Sequence, residues 1–165
     1  MEYQGGIIAY ILQDGDAGYN SDETHGLIAA TAGQSSGIAW ITGGLTQSTA
    51  NGNTSTAIGT GQANTNAMMN QDGYTGGAAK VCDEYTNTNT GTGVYDDWFL
   101  PSKDELNLMY VNLKLQSVGG FADLTVYWSS SEDKAKYAWF QGFGNGVQSH
   151  LHKSYTQRVR AVRAF

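Results

Sequence analysis

Two histidines near the end of the chain, His150 and His152, are separated by one residue and carry imidazoles that can bind a metal ion. In a strand, positions i and i+2 lie on the same face, so the two imidazoles would lie side by side. They could hold a metal ion if a third ligand came near, but the sequence shows no ligand motif that would supply one. We therefore expect surface or packing roles for the pair, and we assign no metal.

A short run of hydroxyls and an acid, Ser129 to Glu132, could supply a nucleophile and a proton donor. A serine nucleophile also needs a placed general base, often beside a G-x-S-x-G turn, and neither is evident. Hydroxyls at a strand end commonly bond to the backbone instead. The chain is therefore predicted not to be an enzyme. The rival interpretation, a hydrolase or oxidase, requires a concave pocket that joins Glu132 to a histidine.

Charged side chains offer two further sites. Asp96 and Asp97 could contribute to calcium binding, but no loop of spaced oxygen ligands surrounds them. Calcium is thus an unsupported alternative, and no cofactor is predicted. Arg158, Arg160 and Arg163 could bind an anionic glycan or pair with carboxylates of this acidic domain. We favour the pairing, because a guanidinium forms bidentate bonds with Asp and Glu.

Composition narrows the class of protein. The 165 residues have the size of a single domain, assigned to 1–165, that can build a core without disulfides. A formal net charge of -6 and a pI near 4.8 argue against a nucleic-acid partner. The single cysteine, Cys82, is expected to be a small buried hydrophobe. No segment has the apolar length of a membrane span, and the first residues do not resemble a signal peptide, so a leader or anchor would lie outside this chain.

Hydrophobic periodicity and turn residues predict a mixture of elements. The strongest helix signal follows Pro101, where Ser102 and Glu105 have the spacing of a capping box. Weaker helices are predicted around 64–70 and 76–85, and exposed Ser-, Thr-, Asn- and Gly-rich loops over 46–65 and 86–93. Short strands are predicted at "GGIIAYIL", "HGLIAA", "GIAWI", "TVYWSSS", "YAWFQGF", "VQSHL" and "QRVRAVRAF". The order indicates one α+β domain with much irregular surface.

The dipeptide Asn145-Gly146 predicts a two-residue type I′ hairpin turn, which would place Phe140 opposite Leu151. Alternation along the two strands then gives two sets of side chains. Trp139 and Phe143 would face the core. The outward surface would collect Phe140, Gly142, Gly144, Val147, Ser149 and Leu151. Exposed apolar side chains of that kind often mark a contact site, and a second layer of protein covering them is the alternative.

Several segments together carry a family resemblance: "DDWFLPSKDELNLMY", "GGF", "YWSSSE", "AWFQGFGNG", "RVRAVRAF" and, in the first half, "GGIIAYIL", "HGLIAA" and "TAIGTGQANTNAM". Over nearly its whole length the chain resembles the bacterial and phage C-type lectin-fold family that includes the C-terminal domain of a Legionella collagen-like adhesin. Its framework is also similar to that of variable proteins encoded by diversity-generating retroelements. The resemblance implies a C-type lectin-like fold of the formylglycine-generating-enzyme-like subtype, with two helices, short strands and long irregular loops.

The resemblance further implies a binding scaffold in which a retroelement rewrites chosen codons near the 3′ end of the gene. Adenines of a template copy are mutated, so that AAC codons for Asn become codons for residues such as Phe, Gly, Val, Ser, His, Leu or Tyr. They cannot become codons for Lys, Gln, Glu, Met or Trp. Within an expected hypervariable segment of about 133–157, the forbidden residues assigned to the framework are Trp139, Gln141, Gln148 and Lys153. The permitted residues, which we predict to bind ligand, are Tyr137, Phe140, Gly142, Gly144, Val147, Ser149, His150, Leu151, His152, Ser154 and Tyr155.

The sequence and the resemblance thus predict a display domain on a cell or virion surface. Its diversified C-terminal surface would bind a protein or glycan on another cell or host, with aromatic and aliphatic anchors giving affinity. The alternative is a fixed surface adhesin domain that binds polysaccharide or glycosaminoglycan. A polyanion contact would weaken steeply with added salt, which distinguishes the two. No oligomeric state is predicted.

Overall fold

Short strands and three helices build the chain in a computed structural model that describes residues 2–43, 47–87, 91 and 93–165. The strands are β1 (Glu2–Tyr3), β2 (Gly6–Ile11), β3 (Gly26–Ala30), β4 (Ser35–Ala39), β5 (Ile41–Thr42), β6 (Gly76–Gly77), β7 (Val126–Lys134), β8 (Tyr137–Gly142), β9 (Gln148–His152), β10 (Thr156–Val159) and β11 (Val162–Ala164). The helices are α1 (Gly61–Met69), α2 (Ala78–Asp83) and α3 (Lys103–Asn112), and a 3-10 turn (Lys114–Gln116) follows α3.

The strands form three sheets. A four-stranded sheet has the order β1-β2-β3-β11, and a five-stranded sheet has the order β4-β10-β7-β8-β9. Strands β5 and β6 form a small third sheet. Neighbouring strands are antiparallel except β10 and β7, which run parallel. Strand β9 is therefore an edge of the five-stranded sheet, and the first and last strands of the chain lie in the same four-stranded sheet.

The predicted α+β, C-type lectin-like fold is wrong. The described residues form three sheets with 11 strands, whereas the helices span only 9, 6 and 10 residues. Several strands have no local pattern, because a two-residue strand arises from pairing with a distant partner rather than from its own sequence. Gly76–Gly77, for example, lies in a segment predicted to be helical but pairs with Ile41–Thr42. The fold is sheet-rich.

Two clusters of buried side chains lie on opposite faces of the five-stranded sheet. Neighbouring residues of β7 show this, because Tyr127 belongs to one cluster and Trp128 to the other. The first cluster also contains Trp40, Trp98 and Cys82, and the burial predicted for Cys82 is confirmed. Burial of each such large side chain stabilises the fold by about 1.5–3 kcal/mol, so these two clusters anchor the sheet from both sides.

The capping box predicted at the start of α3 is confirmed. The Oγ of Ser102 accepts a bond from the Glu105 backbone N–H at 3.2 Å, and the Ser102 N–H donates to Oε2 of Glu105 at 2.7 Å. The backbone N–H of Gly59 also donates to Oε1 of Glu105 at 2.8 Å. Burial raises the pKa of the Glu105 carboxyl, although these hydrogen bonds act in the opposite direction. The capping box therefore holds the first turn of α3, and Glu105 also holds the loop before α1.

The loops predicted to be exposed are partly buried. Asn64 and Thr65 lie inside α1 and are nearly inaccessible to solvent. The Nδ2 of Asn64 donates to the Ser55 carbonyl at 2.7 Å, and the Leu100 N–H donates to Oγ1 of Thr65 at 3.0 Å. Composition suggested exposure, but satisfied polar side chains can be buried. Thr46, residues 88–90 and residue 92 of the predicted loops lie outside the described residues.

The last predicted strand is divided at Arg160, where the chain passes from the five-stranded to the four-stranded sheet. Arg160 does not pair with a carboxylate as predicted, because its guanidinium donates to the carbonyls of Ala30 and Gly119 at 2.8 and 2.9 Å. Burial lowers the pKa of that guanidinium. The pairing predicted for Arg163 is confirmed: its Nε and Nη2 donate to the two carboxylate oxygens of Asp97 at 2.6 and 2.8 Å.

Candidate binding surface

The β8–β9 hairpin carries most of the residues predicted to bind ligand, and its predicted register is wrong by two residues. Phe140 lies opposite Ser149, rather than opposite Leu151, and Leu151 pairs with Ala138. The loop has four residues, because the Gly142 N–H donates to the Val147 carbonyl at 2.8 Å. Since the shift is an even number of residues, the side chains keep the predicted division into two faces.

Burial of Phe143 explains the longer loop. Phe143 is only 1% exposed, and its ring centroid lies 4.5 Å from that of Tyr127 in the second core cluster. The backbone closes around it through a bond of 2.8 Å from the Gly146 N–H to the Gly142 carbonyl. Gly146 has a φ of +75°, and Oδ1 of Asn145 accepts from the Val147 N–H at 3.2 Å. The predicted two-residue type I′ turn is therefore wrong, because only Gly146 of the pair has a positive φ and the inward ring of Phe143 sets a loop of four residues.

The predicted outward face is partly covered. Phe140 and Leu151 are half-buried and pack against the first core cluster, and Gly142 is buried. A Cβ added at Gly142 would lie 2.6 Å from Oδ1 of Asn145. Val147 is 50% exposed, and Gly144 is exposed. The alternative, a further layer of protein, therefore holds for Phe140, Gly142 and Leu151, and the outward orientation holds for Gly144 and Val147.

The opposite face of the hairpin, beyond the region covered by α3, presents an aromatic patch formed by Tyr137, Trp139, His150, His152 and Tyr155. The ring centroid of His150 lies 5.4 Å from that of Tyr137 and 5.9 Å from that of Trp139. The ring of His152 lies 5.8 Å from Tyr137 and 6.4 Å from Tyr155. Tyr155 is 57% exposed. Period-two spacing places these rings together, and Trp139, predicted to face the core, is only half-buried among them.

Charged and polar groups border the aromatic patch. The ammonium of Lys103, in the first turn of α3, lies 4.1 Å from the Trp139 ring centroid, a cation–π arrangement. Nδ1 of His150 lies 3.1 Å from Oδ2 of Asp133, and Nδ1 of His152 lies 2.8 Å from Oγ of Ser154. The patch can therefore offer aromatic faces together with hydrogen-bonding groups. No signal in the sequence singled out Lys103, which the packing of α3 brings here, whereas Asp133 is the first residue of the predicted hypervariable segment.

Three of the four residues assigned to the framework, Gln141, Gln148 and Lys153, are held beneath or beside this surface, whereas Trp139 is part of it. Nε2 of Gln141 donates to the Gly146 carbonyl at 2.8 Å, and Nε2 of Gln148 donates to the Lys103 carbonyl at 2.9 Å. Lys153 is buried, and its ammonium contacts Oε1 of Glu132. Burial lowers the pKa of Lys153, and the Glu132 carboxylate partly offsets that effect. These contacts fix the backbone of the hairpin without using the predicted ligand-binding side chains.

The residues considered above for catalysis or metal binding form hydrogen bonds and ion pairs within the fold. Oγ of Ser129 donates to the Trp139 carbonyl at 2.9 Å, and Oγ of Ser131 donates to the Ser55 carbonyl at 2.7 Å, as the sequence predicts. Glu132 bonds to Lys153, not to a histidine, and accepts from the Asn51 N–H at 2.8 Å. Asp97, the carboxylate considered for calcium, is bonded by Arg163, which holds the pKa of Asp97 below its ordinary value.

Two further findings concern residues 2–43, 47–87, 91 and 93–165. No group of three His, Cys, Asp or Glu side chains is arranged there to hold a metal ion. None of the helices in these ranges combines the length and the apolar character needed to cross a membrane.

Comparison with known proteins places the chain in a family. A family model described as the Lcl C-terminal domain matches residues 29–163, which is most of the chain. The matched range includes strands β4 to β10, the three helices and thus the whole β8–β9 hairpin. No curated protein matches the chain.

Proposed function

The chain belongs to the Lcl C-terminal domain family, and we propose that it is an adhesin-like domain of a cell or virion surface whose C-terminal segment displays a diversified ligand-binding surface. The proposed ligand is a protein or glycan on another cell or host. The positions proposed to bind it are Tyr137, Phe140, Gly142, Gly144, Val147, Ser149, His150, Leu151, His152, Ser154 and Tyr155.

One observation supports this proposal most strongly: in one segment, two buried framework residues alternate with exposed residues proposed to bind ligand. The framework residues Gln141 and Lys153 are buried, and each bonds to a fixed partner. Tyr137, His150 and Tyr155 are exposed; their rings contact one another, His152 and Trp139, and His150 also pairs with Asp133. Exposed side chains of this kind can be exchanged with little effect on folding, which a diversified surface requires.

The aromatic patch supplies a physical basis for affinity. Tyrosine and tryptophan give large contact areas at a small entropic cost, and they are enriched where binding energy is concentrated. Tyr137, His150 and Tyr155 are exposed around the half-buried Trp139. The hydroxyl of Ser154 and the imidazoles add adaptable hydrogen bonds. An exchange of these side chains would change the ligand while the hairpin backbone stays in place.

The DNA beside the gene tests the diversification. We expect a reverse transcriptase gene and an imperfect copy of the last codons, with adenine-rich codons at the proposed binding positions and not at Trp139, Gln141, Gln148 or Lys153. If no such copy exists, diversification is wrong and the fixed adhesin takes its place. In that case, binding to an immobilised sulfated polysaccharide should weaken steeply as salt is added.

A further inference from the structure

A cleft at the tip of the β8–β9 hairpin extends beyond the positions proposed above. Its first part, about 230 Å³, is bounded by Leu124, Thr125, Val126, Gly142, Gly144 and Asn145. Its second part, about 360 Å³, is bounded by Ser36, residues 124–126 and residues 156–158. The two parts lie next to each other, because residues 124–126 line both, and we call them together the Leu124–Arg158 cleft.

Leu124 forms an apolar lip between the two parts. Its side chain is 91% exposed, and its φ of +52° lies in the left-handed region. That conformation is unfavourable for a residue with a Cβ, and water contact adds the cost of an unburied leucine. An apolar side chain held outward by an unfavourable backbone is explained if a bound partner covers it.

Two glycines keep the first part of the cleft open. A Cβ at Gly144 would lie 3.1 Å from Cα of Leu124, and a Cβ at Gly142 would lie 2.6 Å from Oδ1 of Asn145. Both contacts are closer than side chains normally make. Val126 forms part of the same wall. The wall therefore leaves room for an aliphatic or aromatic group next to Leu124.

Arg158 supplies the charge at the other part of the cleft. Its side chain is half-buried and, within the described part of the chain, makes no hydrogen bond or ion pair. By contrast, Arg160 bonds to backbone carbonyls and Arg163 to Asp97. No acidic residue of the described ranges lines the cleft, and the adjacent Asp123 is paired with Lys114. The guanidinium is thus available to a carboxylate.

We propose that the Leu124–Arg158 cleft binds a segment of a partner protein that carries a carboxylate beside an apolar side chain. The carboxylate bonds to Arg158, and the apolar side chain packs on Leu124 and Val126. Charge complementarity and the apolar lip favour this occupant over a polysaccharide, which would leave the apolar part unfilled. The inference rests on the proposed function, because Gly142 and Gly144 belong to the proposed binding surface.

The experiment uses three small probes and the backbone amide NMR spectrum of the whole chain. We expect 3-phenylpropionate to shift the amide signals of residues 124–126, 142–145 and 156–158. The neutral 3-phenylpropionamide should bind roughly tenfold more weakly, because it loses a charge-assisted hydrogen bond. Arg158→Glu should reverse the preference toward 3-phenylpropylamine, and Leu124→Ser should weaken binding of all three probes.

Controls keep the result interpretable. Lys136→Gln removes an exposed lysine outside the cleft and should leave probe binding unchanged. Arg158→Gln, with its fold verified by thermal melting, serves if Arg158→Glu does not fold, and it should abolish the preference for the acid over the amide. The proposal is overturned if no signals of the cleft shift, or if Arg158→Gln binds the acid as well as the parent does. It is also overturned if dextran sulfate shifts these signals while 3-phenylpropionate does not.

The proposal of a diversified surface and the proposal for the cleft can be contradicted independently of each other. Tyr137→Ser with His150→Ser removes part of the aromatic patch and should leave probe binding in the cleft unchanged. A missing template copy in the DNA would contradict diversification but would not alter the probe titration. Absence of probe binding would contradict the proposal for the cleft, and it would have no bearing on whether a template copy lies beside the gene.

Discussion

The ammonium of Lys153 contacts the carboxylate of Glu132 in the interior, with side-chain exposures of 0% and 8%. Glu132 also accepts backbone N–H bonds from Asn51 and Gly52 at 2.8 and 3.0 Å, and Lys153 donates to the Thr49 carbonyl at 3.2 Å. This buried pair therefore connects the end of the β8–β9 segment to the loop before α1. It holds the backbone that carries His152 and Ser154.

Removal of one member of this pair should strongly destabilise the fold. Lys153→Met leaves the Glu132 carboxylate buried without its cation, which typically costs about 3–5 kcal/mol. Urea denaturation would measure the loss in free energy of unfolding. The matched control, Lys136→Met at an exposed position, should change stability by no more than about 0.5 kcal/mol. Equal effects of the two substitutions would show that the pair does not anchor the segment.

Exposed and half-buried positions of the proposed surface should respond differently to substitution. The triple variant Tyr137→Ser, His150→Ser and Tyr155→Ser should keep the free energy of unfolding within about 1.5 kcal/mol, because surface changes each contribute little. Phe140→Ser alone should cost about 1–3 kcal/mol, since its ring packs against the first core cluster. Thermal or urea unfolding of both variants provides the comparison. A triple variant less stable than Phe140→Ser would contradict this difference between exposed and half-buried positions.

Glu105 should make stability depend on pH. Because burial raises its pKa above the ordinary 4.5, the folded state binds more protons than the unfolded state between 4.5 and the raised value. The contribution of Glu105 to the free energy of unfolding is therefore largest below pH 4.5, and it is lost as the pH rises from 4.5 through the raised pKa. Glu105→Gln should remove this slope in urea denaturation at a series of pH values. The exposed control Glu2→Gln should retain the slope, and the prediction fails if both variants behave alike.

Gly146 should tolerate a side chain poorly for two separate reasons. Its φ of +75° is unfavourable for alanine, and an added Cβ would lie 2.7 Å from Cε1 of Tyr110. Gly15 has a φ of +95° but no neighbouring atom within 4 Å of such a Cβ, so Gly15→Ala measures the backbone effect alone. We expect about 1 kcal/mol for Gly15→Ala and a clearly larger loss for Gly146→Ala. Equal losses would contradict the close approach of Tyr110 to the turn.

Local sequence signals predicted the elements that are determined by contacts between residues close together in the chain. The Ser102–Glu105 capping box is present, whereas Asn145-Gly146 lies in a four-residue loop and does not form the predicted two-residue turn. The register of the hairpin was not predictable from the turn alone, because burial of Phe143 against Tyr127 lengthens the loop. Likewise, period-two spacing divided the hairpin into two faces but did not show that a core cluster covers part of each.

Pairing between segments that are separated in the chain accounts for the structural features that the sequence did not predict. The two-residue strands of the small third sheet have no pattern of their own, and they make the fold more sheet-rich than the sequence indicated. Lys103 comes to the aromatic patch from α3, and Asp133 approaches His150 from β7. Contacts between segments so far apart in the chain depend on the whole topology rather than on spacing in one segment.

Deep sequencing of the last codons of this gene, across many isolates carrying it, tests the central proposal most directly. We predict frequent substitutions at the codons of Tyr137, His150, His152 and Tyr155, confined to the first two bases so that the third base stays C, as in AAC. The codons of Gln141 and Lys153 should stay constant. Uniformly distributed substitutions, or an unchanging segment in every isolate, would contradict a diversified surface.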